Sequence, residues 1–236
     1  MNETNTASPQ KPADCNKICF IICYNDDLFL SECSAYIQAL RVPHGFSTDI
    51  LSVEGAPSMT AGYQYAMLHS NAKYKVYLHQ DVFIVNPDFL IRMLEIFQAD
   101  SKIGMLGPVG TTHLPESGIM WENDCRCGAC RAGHIIEESA TYFPQPVHAP
   151  WQEVEALDGL LLATQYDINW REDIFRGWDF YDVSQSAEFR LAGYKVVVPH
   201  QDTPWVIHDE AITTTTSYEY WRDIYLKEYS KRRHIS

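Results

Sequence analysis

The stretch Ile18-Cys19-Phe20-Ile21-Ile22-Cys23-Tyr24-Asn25-Asp26-Asp27 decides the fold class. Its first six residues are continuously apolar, which is the pattern of a strand covered on both faces rather than one half open to water. Tyr24 to Asp27 break the run. Phe29, Cys33, Tyr36, Ile37 and Leu40 then recur at helical spacing, with Asp26 or Asp27 available to cap the first free amides. Working outward, the same alternation predicts a strand over about 48–53, a helix with Tyr63, Ala66, Met67 and Ser70 on one face, and a strand near 75–78. Pro87 opens a helix carrying Phe89, Leu90, Met93, Leu94 and Phe97, a strand follows at 103–106, and a further helix and strand fall at about 182–192 and 195–198. Repeated strand and helix units predict an α/β fold, a single domain with a mostly parallel central sheet and flanking helices.

A chain of 236 residues with 46% apolar content can bury one substantial core. Residues 1–16 are polar and read as a flexible tail, 17–210 as the folded domain, and 211–236 as a C-terminal helix with a basic tail. Within the domain, 107–150 breaks down into Gly, Pro, His and Cys and reads as an irregular insertion. The formal charge of −13 opposes binding to a polyphosphate backbone, so nucleic acid is excluded as a partner. No run approaches the roughly 20 apolar residues needed to cross a bilayer, and no apolar signal segment opens the chain. The expectation is a soluble, cytoplasmic protein. Seven unevenly spaced cysteines do not form the disulfide framework of a small secreted domain.

In an open α/β sheet, ligands bind beyond the carboxyl ends of the strands. Cys23, Tyr24 and Asn25 close the first strand, Glu54 and Gly55 the second, and His79, Gln80 and Asp81 the third, so these ends should converge on one crevice. Taken singly, such residues also serve as ordinary turn chemistry. No Gly-x-Gly-x-x-Gly follows the first strand and no Gly-rich loop ends in Lys-Ser or Lys-Thr, so a diphosphate would need another counter-charge. A carboxylate-held Mn²⁺ or Mg²⁺ supplies one, and Asp81 is the best-placed ligand.

The order Ile22-Cys23-Tyr24-Asn25, Ala61-Gly62-Tyr63-Gln64-Tyr65-Ala66 and Tyr77-Leu78-His79-Gln80-Asp81-Val82 resembles family 2 glycosyltransferases of the Rossmann-like GT-A fold. More narrowly, it is similar to the branch grouped with the streptomycin-biosynthesis glycosyltransferase-like domain. Leu157-Asp158-Gly159-Leu160-Leu161, Gly177-Trp178-Asp179-Phe180-Tyr181-Asp182-Val183 and Trp205-Val206-Ile207-His208 match that branch in order and spacing. The resemblance implies a nucleotide-sugar donor, most commonly a UDP-sugar, and a saccharide or small-molecule acceptor. It implies donor contacts from Cys23, Tyr24, Asn25, Glu54, Gly62, Tyr63 and Asp81, and a metal held by Asp81 and His208. The family's Asp-x-Asp is reduced here to His79-Gln80-Asp81, and His208 also reads as an ordinary histidine beside a strand.

An acceptor hydroxyl must shed a proton as it attacks, and the resemblance places the catalytic acidic pair at Asp179 and Asp182, with Asp182 the favoured base. Direct displacement would invert the anomeric configuration. Asp182 reads equally as a helix cap. The resemblance sets Asp158 and Gly159 near the sugar or acceptor, where they also suit a tight turn, while Trp178 and Trp205 offer ring faces to a sugar or fill core and rim.

Two segments stand apart. Cys125, Cys127, Cys130 and His134 have spacing that can wrap a structural Zn²⁺, with reduced thiols as the alternative. Tyr218, Trp221, Ile224, Tyr225 and Tyr229, followed by Lys231-Arg232-Arg233, make an amphipathic helix that packs on its own domain or rests peripherally on a membrane. Two other functions share this pattern: a catalytically inactive nucleotide-sugar-binding module, and a nucleotidyltransferase, whose basic Gly-rich loop is missing.

Overall fold

The computed structural model describes residues 12–132, 139–209 and 217–229. His134 and the basic run Lys231 to Arg233 lie outside them. Strands β1 (Asp14–Tyr24), β2 (Ser47–Glu54) and β3 (Ala72–His79) run parallel with β1 in the middle, linked by α1 (Asp27–Gln38) and α2 (Met59–His69). Asp26 caps α1 by accepting from the amides of Leu28 and Phe29, and Ser58 caps α2 through the Ala61 amide. β4 (Val82–Ile84), α3 (Phe89–Ala99) and β5 (Ile103–Leu106) follow. The middle of the chain holds β6 (Val109–Thr111), β7 (Arg126–Ala132), β8 (Ser139–Tyr142), β9 (Trp151–Glu153), β10 (Ala156–Leu157) and β11 (Leu161–Thr164). α4 (Tyr181–Leu191), β12 (Lys195–Pro199), β13 (Val206–His208) and α5 (Tyr218–Tyr229) complete the order.

The main sheet has seven strands in the order β2-β1-β3-β11-β5-β12-β9, flanked by helices. It is mixed: β11 runs antiparallel between β3 and β5, and β9 runs antiparallel on the edge at β12. The continuous apolar run of β1 feeds two separate clusters. Ile18, Phe20 and Ile22 pack with residues of α1 and α3, while Cys19, Ile21 and Cys23 pack with residues of α2 and α4. Period-two alternation therefore buries every residue of the run, one face at a time.

Three expectations need correction. β1 opens at Asp14, inside the segment read as tail, because the Asp14 amide donates to the Asn71 carbonyl at 2.7 Å and extends the pairing with β3. The segment 107–150 is not an irregular insertion. Its short strands β6, β7 and β8 join β10, β13 and β4 in a second sheet, ordered β10-β6-β7-β13-β4 with β8 on β7. Among the described residues Cys125, Cys127 and Cys130 form no three-donor group of metal-binding separation, and His134 lies outside those residues. Cys127 and Cys130 are three residues apart on a strand and pack into different clusters, as the period of two requires. Burial pushes the Cys127 thiol up to about 12, so it stays protonated.

α5 docks on its own domain, with Tyr225 and Tyr229 buried in a cluster that includes Leu114, Met120, Phe175 and Phe180. The Tyr229 hydroxyl donates to Glu188 Oε1 at 2.6 Å and helps fix the helix to α4. Among the described residues no helix is long and apolar enough to cross a membrane.

Candidate functional site

β3 ends at His79, and a tight turn through Gln80 and Asp81 leads straight into β4. β13 pairs antiparallel with β4, setting His208 opposite Val82, and the Asp209 amide donates to the Asp81 carbonyl at 2.9 Å. That register brings together two segments distant in sequence. His208 Nε2 lies 3.7 Å and His79 Nδ1 3.9 Å from the same oxygen, Oδ1 of Asp81. The three donor atoms fall within 4.8 Å of one another, and they are the one such group of three among the described residues. Burial, and next the neighbouring His208, hold the His79 imidazole down to about 3, so it stays neutral with a lone pair to offer. His79 Nε2 is hydrogen-bonded to the Tyr181 hydroxyl, which leaves Nδ1 facing the carboxylate. Two imidazoles and a carboxylate gathered in this way suit a divalent cation once the donors close in on it.

Gln80 performs a task its sequence does not announce. Its Oε1 accepts from the amides of Asn25 and Asp26 at 2.9 and 3.0 Å, and its Nε2 donates to Asn25 Oδ1 at 2.7 Å. The loop after β1 is thereby tied to the turn that carries Asp81. Tyr24 and Glu54 end β1 and β2 side by side, and Asn25 and Glu54 are exposed, so these three can meet a ligand. Cys23, Gly62 and Tyr63 cannot do so directly. Cys23 and Tyr63 are buried, and a Cβ on Gly62 would collide with the Cys23 sulfur, so that glycine exists for close packing.

The second half of the site gathers at the start of α4. Asp182 is not the helix cap: Phe180 holds that position with φ 60° and ψ 7°, the one non-glycine residue with positive φ among the described residues. Such strain is found where a site fixes an unusual backbone. The Asp182 carboxylate accepts from the Gly159 amide (2.9 Å) and the Val183 amide (2.8 Å). Burial, and next the charge of Asp158, push it up to about 7. Asp158 also makes the expected turn, its Oδ1 accepting from the Leu160 amide at 2.9 Å. Asp179 accepts from the Ser217 hydroxyl at 2.6 Å, which ties it to the approach of α5.

A cleft of about 150 Å³ runs from His79 past Asp158, Gly159 and Asp182 to Trp178 and Trp121. Trp178 is 51% exposed and Trp121 45% exposed, so both present ring surface. Trp205 is 4% exposed and meets Phe89 edge-on, which makes it a core residue. A larger hollow of about 490 Å³ lies between α3 and the β12–β13 connection and contains none of the donor or acidic groups above. Sequence reasoning missed His79 as a donor atom, Gln80 as a clamp, Tyr181 as the partner of His79, and Trp121. The signal available for His79 was its place at the first carboxylate position of the reduced motif.

Residues 19–229 match the family described as glycosyltransferase like family. No curated protein matches the chain in sequence. Among solved structures the chain is similar to the mannosyltransferase PcManGT from Pyrobaculum calidifontis in complex with GDP-Man and Mn²⁺, with TM-score 0.52 and 15% identity over 92% of this chain and 64% of that one. It is also similar to a fragment of S. aureus TarS in complex with UDP-GlcNAc (TM-score 0.54, 9% identity, 86% of this chain and 61% of that one). A longer form of S. aureus TarS gives TM-score 0.55 and 9% identity over 90% of this chain and 39% of that one. At these identities the likeness is one of fold, the helix-flanked sheet of GT-A glycosyltransferases. The chain spans less than two thirds of the length of each of these structures.

Proposed function

The chain belongs to the glycosyltransferase-like family, and from that premise we propose that it transfers a sugar from a nucleoside-diphosphate donor to a hydroxyl of a saccharide or small-molecule acceptor, with inversion. The observation that carries the reading is that His79, one of three gathered cation donors, lines the same cleft as the elevated-pKa carboxylate Asp182. His79, Asp81 and His208 would hold the cation. When bound, Mn²⁺ or Mg²⁺ neutralises the donor diphosphate and assists its departure. Gln80 fixes the Tyr24–Asn25 loop against the nucleoside, with Glu54 beside it. PcManGT holds GDP-Man and TarS holds UDP-GlcNAc, so a nucleotide sugar is the ligand class this fold accommodates in its relatives.

Asp182 takes the acceptor proton. Its carboxylate is anchored by two amides and titrates near neutrality, where a base is both ionised and basic enough to work. Trp178 offers its exposed ring face to the acceptor, and Asp179 and Asp158 border the same cleft. The narrower placement beside the streptomycin-biosynthesis domain belongs to the same proposal. A panel of nucleotide sugars incubated with Mn²⁺, with and without simple saccharides, should yield nucleoside diphosphate from one donor and an inverted glycoside by NMR. Binding without turnover would point to an inactive binding module, and neither binding nor turnover would overturn the proposal.

A further inference from the structure

Resting on the reading of His79, Asp81 and His208 as a cation site, we propose that Tyr181 is a positioning residue that fixes which nitrogen of His79 meets the metal. The resulting centre of two imidazoles and one carboxylate then selects first-row transition ions such as Mn²⁺ over Mg²⁺. A ligating imidazole is held by a hydrogen bond at its other nitrogen, and loss of such a partner weakens metal affinity. The Tyr181 hydroxyl sits at Nε2 of His79, and Nδ1 points to Asp81 Oδ1 at 3.9 Å. A lone pair on Nδ1 requires the proton on Nε2, so His79 donates to the phenol oxygen.

The phenol cannot wander. Tyr181 is the first residue of α4, directly after the left-handed Phe180, and its ring lies edge-on to Tyr63 with centroids 6.0 Å apart and 6.4 Å from Trp170. Gly159 leaves the space the hydroxyl needs, because a Cβ there would overlap the phenol oxygen. Since Asp182 follows Tyr181, one helix turn sets both the cation ligand and the base.

Selectivity follows from the donor atoms. Mg²⁺ prefers an octahedron of oxygens and sheds water reluctantly, whereas transition ions gain from imidazole nitrogen. A carboxylate in place of His79 would give a site suited to either ion.

The test uses the full chain with Mn²⁺ alone, followed by electron paramagnetic resonance, and Mg²⁺ alone, followed by calorimetry. Wild type should bind Mn²⁺ at least about tenfold more tightly than Mg²⁺. Tyr181→Phe should weaken Mn²⁺ roughly 10- to 100-fold with far less effect on Mg²⁺. His79→Asp, which leaves Tyr181 in place, should bring the two affinities together. A long-range ¹H–¹⁵N spectrum should show His79 protonated at Nε2. An unchanged Mn²⁺ affinity in Tyr181→Phe, or the Nδ1–H tautomer, overturns the positioning role while the cation site stands. Equal affinity of wild type for the two ions overturns the selection, and binding of neither ion overturns the cation site itself.

Discussion

Asp182 is the group whose behaviour can be worked out furthest. Burial and the nearby Asp158 lift its pKa from 3.8 to about 7. That is roughly 4 kcal/mol against ionisation, at about 1.4 kcal/mol per unit. If Asp182 is the base, kcat/KM should rise with pH as it ionises and level off above about 8. At pH 5 only about one molecule in a hundred carries the carboxylate, so the rate there should lie about a hundredfold below the plateau. Asp158→Asn removes the second cause and should move the limb to lower pH. Asp182→Asn should lower kcat by about 10²–10⁴-fold and abolish the limb. Release of nucleoside diphosphate in the presence of Mn²⁺, measured across pH 5–9 at low donor and acceptor, reads all three. Stability gives an independent check. A carboxyl whose folded pKa is raised binds its proton more tightly in the folded chain, so the stability it contributes is complete below about pH 4 and lost as pH rises through about 7. The melting temperature of Asp182→Asn relative to wild type should therefore climb between pH 5 and pH 8. A flat rate profile in wild type, or full turnover by Asp182→Asn, would refute the reasoning.

Three further outcomes follow from the same geometry. Asp81→Ala removes the oxygen shared by His79 and His208, so Mn²⁺-dependent donor binding should disappear while circular dichroism stays native; activity that survives excess chelator would sink the cation site. Gly159→Ala forces a methyl against the Tyr181 phenol, and urea unfolding should show a loss of about 1–3 kcal/mol together with weaker Mn²⁺ binding. An unchanged midpoint would mean that the phenol has room to move. Trp178→Ala should raise the acceptor KM by about two- to tenfold with little change in kcat, whereas Trp205→Ala should cost about 3–5 kcal/mol of stability; the reverse pattern would show the two rings assigned the wrong way round.

Up to Leu106, β1, β2, β3, β5 and the three helices are legible because each carries its own local signal, an apolar run or a helical stripe, whereas the three-residue β4 carries none. Strand direction is different. Leu161 to Thr164 announces burial, but nothing in those four residues says that β11 runs against β3 and β5. Apart from the seven-residue β7, the strands of the second sheet have only two to four residues, too few for alternation to stand out, and the sheet's order depends on partners far along the chain. At the site, Asp81, His208 and Asp182 could be named from motif order, yet the meaning of Tyr181 comes from Gly159 and His79, neither of which is near it in sequence. Trp178 and Trp205 look alike as letters, and only burial separates a ring that faces a cleft from one that fills the core.

The pairing of β13 with β4 has a consequence for the order of events during synthesis. Every strand of the seven-stranded sheet precedes Val206, so a nascent chain can carry the whole of that sheet before His208 leaves the ribosome. A cation held by His79, Asp81 and His208 therefore could not template the main sheet through all three donors. By binding only the chain in which β13 is paired with β4, such an ion would draw β13 into register through mass action. A chain stopped just short of Val206 would hold every strand of the main sheet and lack both the third donor and the strand between β4 and β7, so capture of an ion would report that β13 has paired.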